Sequence, residues 1–200
     1  IAICEDLWND KGSDDYSYVN NPLNRYREKG IEVILSLNSS PYVHDKGWQR
    51  LNLIGAGDTP LTVVYVNQRG GEDELVFDGQ SFVLKGKSLL HMSTEIFKDT
   101  YDIVDVNQCP PLIPVVENSK ANISFVSLFD LLVLCLKDYV KKSGFSQVVI
   151  ASSGGVDSAV VCKLACEALG PENVHAVRLP SVYSSEHSRT DALRLHRNLG

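Results

Sequence analysis

The chain contains 200 residues, of which 19 are basic and 25 acidic, so its formal net charge is −6. Hydrophobic residues make up 44% of the chain, which excludes an intrinsically disordered protein. The mild acidity offers no basic surface of the kind that duplex nucleic acids select, so we expect no nucleic-acid partner. At about 150 residues per domain, the length is compatible with one domain or two.

The sequence carries neither a membrane span nor a secretory signal. Its most apolar stretch, Ile123 to Val140, is interrupted by polar and charged residues, so it predicts a core helix. The chain begins with Ile1 rather than Met, and we therefore expect a fragment that starts inside a domain. Five irregularly spaced cysteines argue against a disulfide framework and predict a reducing compartment, the cytoplasm.

The first half mixes short strands with turns. Aliphatic runs predict strands, whereas Pro, Gly and Asp-Gly mark the ends of elements. The predicted elements, in chain order, are a short strand at Ile1 to Ile3, a helix from Pro22 to Lys29 that ends at Gly30, a buried strand from Ile31 to Leu37, a helix from Gly47 to Ala56, a buried strand from Leu61 to Val66, a turn-rich stretch from Asn67 to Asp73, and a β-hairpin joining Leu75 to Phe77 with Ser81 to Leu84 through Asp78-Gly79.

Three prolines between Asn107 and Asn118 predict a linker, after which the pattern changes. The second half alternates helices and strands at a spacing typical of a parallel sheet with helical crossovers. Its predicted elements are a helix over Phe125 to Val140 that ends at Gly144, a strand at Val148 to Ala151, a helix from Ser158 to Leu169 stopped by Gly170-Pro171, a strand from Val174 to Leu179, and a helix capped by Ser185 that runs through Asn198.

A turn rich in serine and glycine separates the strand at Val148 to Ala151 from the following helix. The N–H groups at a helix N-terminus attract an anion, and glycines let a phosphate approach the backbone. Asp157 fits either as an acceptor at the helix end or as a ligand for Mg²⁺ that bridges to phosphates. The alternative is a glycine-rich turn without a ligand. The candidate ATP-binding residues are Ala151, Ser152, Ser153, Gly154, Gly155, Val156, Asp157 and Ser158.

The string SGGVDS resembles the SGGxDS loop of the N-type ATP pyrophosphatases. That resemblance implies cleavage of ATP to AMP and pyrophosphate, with adenylation of a substrate carbonyl. Ala168 to Val177 and Leu179 to Glu186 are similar to the ALGxENVxxV and MPSxYSSE segments of NAD synthetases. The chain departs from this pattern at Leu179, where Met is usual, at Val182, where Arg is frequent, and at Ser152, where Leu is frequent. Val182 leaves the substrate contacts near its loop open.

Cys4 follows the first predicted strand and begins a tight turn, so its sulfur can face a cleft. A helix N-terminus at that point would favour the thiolate, and the next N–H could stabilise an oxyanion. The alternative for this segment is a buried, inert cysteine. Glu5 does not qualify as the general base, because the neighbour of a residue on a strand points away from it.

ICEDLW is similar to the nucleophile segment of the nitrilase-like glutaminase domains found in glutamine-dependent NAD synthetases. Further matches are Leu37 to Tyr42, Val64 to Gln68, Gly70-Gly71 and Val76 to Ser81. The resemblance implies that Cys4 attacks the side-chain amide of glutamine, forms a glutamyl thioester and releases ammonia. It also implies that Ser40 and Lys46 hold the glutamine. The family's catalytic Glu and Lys lie upstream of the cysteine, so we expect them outside this chain.

The resemblance implies an α/β chain: the C-terminal part of a nitrilase-like αββα sandwich, then the start of a doubly wound parallel sheet of the adenine nucleotide alpha hydrolase type. We assign residues 1–108 to the glutaminase domain, 109–118 to the linker and 119–200 to the ATP-pyrophosphatase domain. The implied reaction is ATP-dependent amidation of deamido-NAD to NAD with ammonia from glutamine, assisted by Mg²⁺. In the full-length enzyme we expect a homo-oligomer without membrane partners, and we expect the isolated fragment to be inactive.

Two alternatives stay open: another glutamine amidotransferase of the ATP pyrophosphatase family, or a nitrilase-type amidase fused to a nucleotide-binding module. Other candidate features are weaker. Cys162 and Cys166 share a helix face, but no nearby His or Cys pair completes a metal site, so core packing is favoured. Gly86-Lys87-Ser88 lacks the upstream glycine of a Walker loop. Trp8 and Trp48 are interpreted as packing residues.

Overall fold

The computed structural model describes residues 1–8, 19–55, 61–108, 110–114, 126–179 and 185–200. It divides the chain into two compact units, of which the first comprises Ile1–Gly70 with Phe77–Val126 and the second Gly71–Val76 with Ser127–Gly200. Each unit combines helices with strands, so the predicted mixed α/β architecture is confirmed.

In its described residues, the first unit contains a six-stranded sheet and two α-helices. Its sheet has the strand order β1-β2-β3-β6-β7-β8. Strands β4 and β5 form a separate two-stranded hairpin, of which Gly71–Val76 belong to the second unit. The elements are β1 (Ala2–Ile3), a 3₁₀ turn (Cys4–Leu7), α1 (Pro22–Glu28), β2 (Val33–Asn38), α2 (Lys46–Gly55), β3 (Thr62–Asn67), β4 (Arg69–Glu72), β5 (Leu75–Asp78), β6 (Phe82–Lys85), β7 (Ser88–Met92) and β8 (Ile113–Pro114).

The strands β1, β2 and β3 are parallel, with Ile3 opposite Leu37 and Leu37 opposite Val66. Their carboxyl ends therefore meet at one edge of the sheet, where the 3₁₀ turn begins. Strand β6 then runs antiparallel to β3, and β7 and β8 continue the antiparallel part.

One face of this sheet carries the core of the first unit. Side chains alternate between faces along a strand, and β2 follows that rule strictly, since its exposed and buried residues alternate. The predicted buried strand is therefore buried on one face only: Val33, Leu35 and Leu37 on its other face are each about half exposed. The buried cluster contains Ala2, Leu7, Leu23, Ile34, Trp48, Leu51, Ile54, Leu61, Val63, Tyr65, Phe82, Leu84 and Leu89.

The predicted hairpin around Asp78-Gly79 is wrong, although both of its strands exist. Strand β5 pairs with β4, which lies in the stretch predicted as turns, whereas β6 pairs with β3 and β7. The chain turns at Gly79 and Gln80, both with positive φ, while the Asp78 side chain is completely buried. A buried carboxylate needs partners in the core, and this requirement overrides the surface turn that Asp-Gly usually makes.

Two further local features concern turns and the predicted linker. Gly86-Lys87 forms the two-residue turn of the β6–β7 hairpin, with Gly86 at φ +57°. Within the predicted linker, Ile113 and Pro114 form β8 at the edge of the sheet, where a missing N–H is tolerated. Cys109 and residues 115–118 lie outside the described residues.

The part of the second unit that the structure describes contains three α-helices and a pair of parallel strands. Its elements are α3 (Leu128–Lys142), β9 (Val148–Ala151), α4 (Val156–Leu169), β10 (Val174–Val177) and α5 (Glu186–Leu199). Strands β9 and β10 pair in parallel, as predicted. Helices α3 and α4 pack against each other, and Leu131 and Leu134 of α3 and Ala165 of α4 are buried.

The ends of the helices follow local sequence signals. Gly30, Gly144 and Gly170 have positive φ where α1, α3 and α4 end, a conformation that glycine adopts without a steric penalty. The Ser185 hydroxyl accepts a hydrogen bond of 3.1 Å from the Ser188 N–H at the start of α5. None of the helices that the structure describes has the length and apolar character needed to cross a lipid bilayer.

Candidate functional site

Along the buried face of the parallel strands, the side chains change from apolar to polar toward the carboxyl ends. Ile34 and Val63 lie in the core, whereas Asn38 and Asn67, which are opposite each other, end β2 and β3. Asn38 donates a hydrogen bond of 3.1 Å to the Val66 carbonyl. Ligands in sheets with parallel strands bind at the carboxyl ends, so this edge is the first candidate site.

Cys4 lies at that edge, directly after β1, as the first residue of the 3₁₀ turn. Its φ is +39°, a left-handed conformation that is uncommon for a residue with a side chain. The turn is held by the Asp6 carboxylate, which accepts a hydrogen bond of 2.8 Å from the Ile3 N–H. Glu5 was expected to point away from Cys4 as its neighbour on a strand, and this premise is wrong because both residues lie in the 3₁₀ turn. The Glu5 side chain is exposed. Strained backbone of this kind is often found at reactive residues.

Ser40 follows β2 and is buried, with only 3% of its surface exposed. Its N–H donates to the Asn67 side-chain oxygen at 2.9 Å, and its carbonyl accepts from the Asn67 amide nitrogen at 3.1 Å. Arg50 of α2 donates to the same carbonyl at 2.9 Å. The main chain of Ser40 is thus held from both β3 and α2.

Arg50 and Asp78 form an ion pair in which both side chains are completely buried. One terminal guanidinium nitrogen, Nη1, donates to both carboxylate oxygens, at 2.9 and 3.1 Å. Asn67 and Gln80 donate to the same carboxylate at 3.2 and 3.0 Å. Burial raises the pKa of Asp78, and the Arg50 charge opposes that shift without cancelling it.

Lys46, the first residue of α2, lies beside the residue that follows the cysteine turn. Its ammonium nitrogen is 5.2 Å from the centroid of the Trp8 ring, the distance of a cation–π contact. Trp8 therefore does more than pack, in contrast to Trp48, which lies in the core as predicted. The first unit brings Lys46 to the side of the turn that begins with Cys4.

Tyr65 stands behind Asn67 on the same face of β3. Its ring stacks on Phe82, with the ring centroids 4.7 Å apart, and the Arg50 guanidinium carbon lies 6.0 Å from its centroid. Burial, together with the smaller effects of Cys4 and Asp78, raises the pKa of Tyr65 to about 12, although the Arg50 charge and the Ser40 hydroxyl oppose the shift. Tyr65 therefore keeps its proton at neutral pH.

The second candidate site lies in the second unit, where the turn between β9 and α4 contains the predicted loop. Gly154 has φ +87°, and Gly155 precedes the first residue of α4 without a side-chain cap. The Ser153 and Ser158 hydroxyls are 3.2 Å apart and accept hydrogen bonds from loop amides, Ser158 from the Ser153 N–H and Ser153 from the Gly155 N–H. If a phosphate bound here, its oxygens would replace the serine hydroxyls as acceptors for the loop N–H groups.

The predicted ATP-binding residues fall into two groups. The exposed or half-exposed turn contains Ser153, Gly154, Gly155, Val156, Asp157 and Ser158. Ala151 ends β9, and Ser152 is buried, with its N–H donating to the Val177 carbonyl at 2.9 Å. Ser152 therefore supports the turn from the sheet side. Residues 180–184, which include Val182, lie outside the described residues.

Asp157 presents an exposed carboxylate in the first turn of α4. One carboxylate together with ligand phosphates is a common donor set for Mg²⁺, and the neighbouring serine hydroxyls are also hard oxygen donors. These residues fit the ion. In the described part of the chain, no group of three or more His, Cys, Asp or Glu side chains is arranged to hold a metal ion.

Cys162 and Cys166 lie inside the second unit, and Cys162 is 1% exposed. Burial raises the pKa of both thiols, which keeps them protonated and unreactive. This environment agrees with the predicted role in core packing.

The buried Arg50–Asp78 pair was not predicted from the sequence. A signal for Arg50 was present, because it lies four residues before Ile54 and hence on the apolar face of α2. Asp78 gave no such signal, since Asp-Gly is typical of exposed turns.

Comparisons with known proteins find relatives that match the chain over its whole length. Residues 128–200 match the family model of NAD synthase. Over 100% of its length the chain is 37% identical to a glutamine-dependent NAD(+) synthetase from Synechocystis sp., of which it covers 37%. It is 38% identical to the enzyme of that name from Xylella fastidiosa strain Temecula1, of which it covers 36%. The chain thus spans little more than a third of these curated relatives.

Solved structures give the same result. The structure of glutamine-dependent NAD+ synthetase from Acinetobacter baumannii in complex with ADP superposes with a TM-score of 0.79 at 33% identity, covering 99% of this chain and 36% of that one. The enzyme from Cytophaga hutchinsonii, at 19% identity and a TM-score of 0.63, shares the fold. Sequence and structure therefore confirm the predicted resemblance: the chain is similar along its whole length to part of the glutamine-dependent NAD(+) synthetases.

Proposed function

We propose that this chain contributes to the ATP-dependent amidation of deamido-NAD to NAD, with ammonia from glutamine hydrolysis and with release of AMP and pyrophosphate. The observation that carries the proposal is the presence, on one chain, of a strained cysteine at the ends of parallel strands and a glycine turn at a helix N-terminus. Relatives that match the chain over its whole length bear the name glutamine-dependent NAD(+) synthetase.

Cys4 is the proposed nucleophile of the glutaminase reaction. Its sulfur attacks the side-chain carbonyl carbon of glutamine, the C–N bond breaks, and ammonia leaves with the proton that the thiol has lost. Water then attacks the glutamyl thioester, which releases glutamate and restores the thiol. The left-handed backbone at Cys4 supports this role, because it turns the chain sharply at the end of β1.

Ser40 and Lys46 are the proposed glutamine-binding residues. The Lys46 ammonium can bind a carboxylate, and its contact with the Trp8 ring restricts where that charge lies. Ser40 can offer polar groups on a backbone that is itself held by Asn67 and Arg50. Both residues belong to the first unit, as Cys4 does.

The turn from Ser153 to Ser158 is the proposed site for the polyphosphate of ATP. The helix dipole of α4, the loop amides and two serine hydroxyls all favour an anion there. Asp157 would hold Mg²⁺, which neutralises phosphate charge when it is bound. The adenylate formed on the acceptor carboxylate makes AMP the leaving group, so that ammonia can displace it.

For the fold, we propose that residues 1–108 belong to a nitrilase-like αββα sandwich, residues 109–118 link the domains, and residues 119–200 begin a doubly wound sheet of the alpha hydrolase type. The half-exposed aliphatic residues on the outer face of β2 support the sandwich, because strands covered on both faces are apolar on both. The parallel pair β9–β10 with α4 between its strands supports the doubly wound sheet.

The decisive experiment uses the product of the complete reading frame, assayed for NAD formation with glutamine and, separately, with ammonia. Cys4→Ala should abolish the glutamine-driven reaction and spare the ammonia-driven one. Asp157→Ala should impair both reactions, because both need the adenylate.

The pattern of the two variants separates the two sites. If glutamine-driven synthesis survives in Cys4→Ala, the assignment of Cys4 as the nucleophile is contradicted. Unchanged ATP and Mg²⁺ dependence in Asp157→Ala removes that residue from the nucleotide site. No pyrophosphate release from ATP, glutamine and deamido-NAD by the unmodified protein contradicts the whole reaction.

A further inference from the structure

The buried Arg50–Asp78 pair in the first unit has no role in the chemistry described so far. Arg50 uses both terminal nitrogens: Nη1 donates to the Asp78 carboxylate, while Nη2 donates to the Ser40 carbonyl at 2.9 Å and lies 3.3 Å from the Ser40 hydroxyl. Its planar fork therefore links the buried anion of one segment with the backbone of another.

The buried ion pair is not expected to add much to the free energy of unfolding. Removing two charges from water costs free energy that their attraction often fails to recover, and well-packed apolar residues are frequently as stable. The raised pKa of Asp78 agrees with this reasoning, because its charged form is less favourable in the folded protein than in water.

The pair instead determines where the Ser40 backbone lies. The Ser40 carbonyl accepts hydrogen bonds from Arg50 and Asn67, and the Ser40 N–H donates to Asn67. Asn67 in turn donates to Asp78 at 3.2 Å, so the same carboxylate orients both donors. A single buried anion thus sets the position of Ser40 through two independent side chains.

We propose that Arg50 is a positioning residue for the site around Cys4. Arg50 holds Ser40 in the position from which Ser40 binds the substrate glutamine. This inference rests on the proposed glutaminase function. Arg50 is buried and acts through Ser40, so its loss should weaken glutamine binding while the Cys4 thiol itself stays reactive.

The test compares Arg50→Lys with the unmodified product of the complete reading frame. Lysine keeps the positive charge beside Asp78 but has no fork with which to bind Ser40 at the same time. Arg69→Lys is the matched control. Arg69 also binds a carboxylate, that of Asp99, and a backbone carbonyl, that of Ile96, but its carboxylate partner is exposed rather than buried.

The readout is the rate at which iodoacetamide alkylates Cys4, followed by peptide mass spectrometry at increasing glutamine concentration. The midpoint of protection measures the glutamine concentration at which half of the Cys4 thiols are shielded, either by bound glutamine or as the thioester. Losing one charge-assisted hydrogen bond should raise this midpoint by about tenfold or more in Arg50→Lys. The alkylation rate without glutamine should stay within about twofold, and Arg69→Lys should match the unmodified protein.

Kinetics give a second readout that a purely structural role would not move. In Arg50→Lys the KM for glutamine should rise by a factor similar to that of the protection midpoint, while ammonia-driven synthesis keeps its rate. Asn67→Leu removes the other two bonds to Ser40 and one hydrogen bond to the Asp78 carboxylate, but it leaves the Arg50–Asp78 ion pair in place. It should shift the midpoint in the same direction if Arg50→Lys does not fold.

The outcomes distinguish this inference from the function on which it rests. An unchanged midpoint in folded Arg50→Lys, or in Asn67→Leu, overturns the positioning role alone. A parallel loss of ammonia-driven synthesis shows a general structural effect and also overturns it. If glutamine does not protect Cys4 in the unmodified protein, the proposed glutaminase function fails, and the inference fails with it.

Discussion

Gly154 lies so close to Ser188 that a Cβ on the glycine would come within 2.1 Å of the Ser188 carbonyl oxygen. The carbonyl belongs to the first turn of α5, so the glycine turn and that helix pack backbone against backbone in the second unit. The φ of +87° at Gly154 adds a conformational reason for glycine. The second glycine of the loop has neither constraint: Gly155 has φ −85°, and its Cβ would meet only the Ser153 hydroxyl, at 3.4 Å.

The first prediction concerns this pair of glycines. Gly154→Ala should lower the free energy of unfolding by about 2 kcal/mol or more and should abolish ATP binding, because the loop must move away from α5. Thermal unfolding and calorimetric titration with ATP measure both effects. Gly155→Ala is the matched control and should cost less than about 1 kcal/mol. Equal effects of the two substitutions would contradict the close approach.

A second prediction concerns Gly71, which contacts α3 within the second unit. Its N–H donates to the Asp138 carboxylate at 2.8 Å, and a Cβ would lie 3.0 Å from the Cα and the carbonyl oxygen of Cys135. Gly71→Ala should therefore destabilise the protein by about 1–3 kcal/mol through overpacking.

Gly144→Ala serves as the control for Gly71→Ala, because Gly144 has φ +79° but nothing within 4 Å of its Cβ position. Its cost should be only the conformational one, about 1 kcal/mol. Chemical denaturation of both variants checks the comparison. A Gly71→Ala protein as stable as the unmodified one would rule out the tight contact.

A third prediction follows from the raised pKa of Tyr65, which is about 12 in the folded protein. The unfolded chain releases the same proton near pH 10, as tyrosines in water do. Ionisation thus favours the unfolded state as the pH rises from about 10 to 12, and the free energy of unfolding should fall across that window. Below pH 10 Tyr65 is neutral in both states and adds no pH dependence.

Ultraviolet difference titration of the phenols checks this prediction. Tyr65→Phe should remove the step near pH 12 and leave the titration of the exposed tyrosines unchanged. The variant should also lose less stability between pH 10 and 12 than the unmodified protein. A phenol step near pH 12 that persists in Tyr65→Phe would assign it to another tyrosine.

The fourth prediction tests the cap of α5. Ser185→Ala removes the hydroxyl that accepts the Ser188 N–H and should cost about 1 kcal/mol. Ser185→Asp keeps an acceptor at the same place and adds a favourable charge at the helix N-terminus, so it should retain most of the stability. Thermal unfolding of the two variants decides between a cap and a solvent-exposed serine without a structural role.

The local elements of the chain could be predicted well from its sequence. Glycine ends α1, α3 and α4, and Ser185 begins α5, because helix ends depend on the conformational freedom and hydrogen-bonding groups of residues nearby in the chain. The strand-to-helix junction at residues 152–155 was equally visible, since a strand, two glycines and a helix follow one another directly.

Pairing across the fold was decided only by the tertiary structure. Strand β5 pairs with β4 rather than with β6, although the Asp-Gly turn between β5 and β6 favoured the other hairpin. Arg50 and Asp78 are 28 residues apart, and each alone is typical of a surface residue. Short-range propensities do not encode which surfaces become buried together. Burial in the core made the ion pair necessary, and the three parallel strands placed Cys4 and Ser40 at one edge of the sheet.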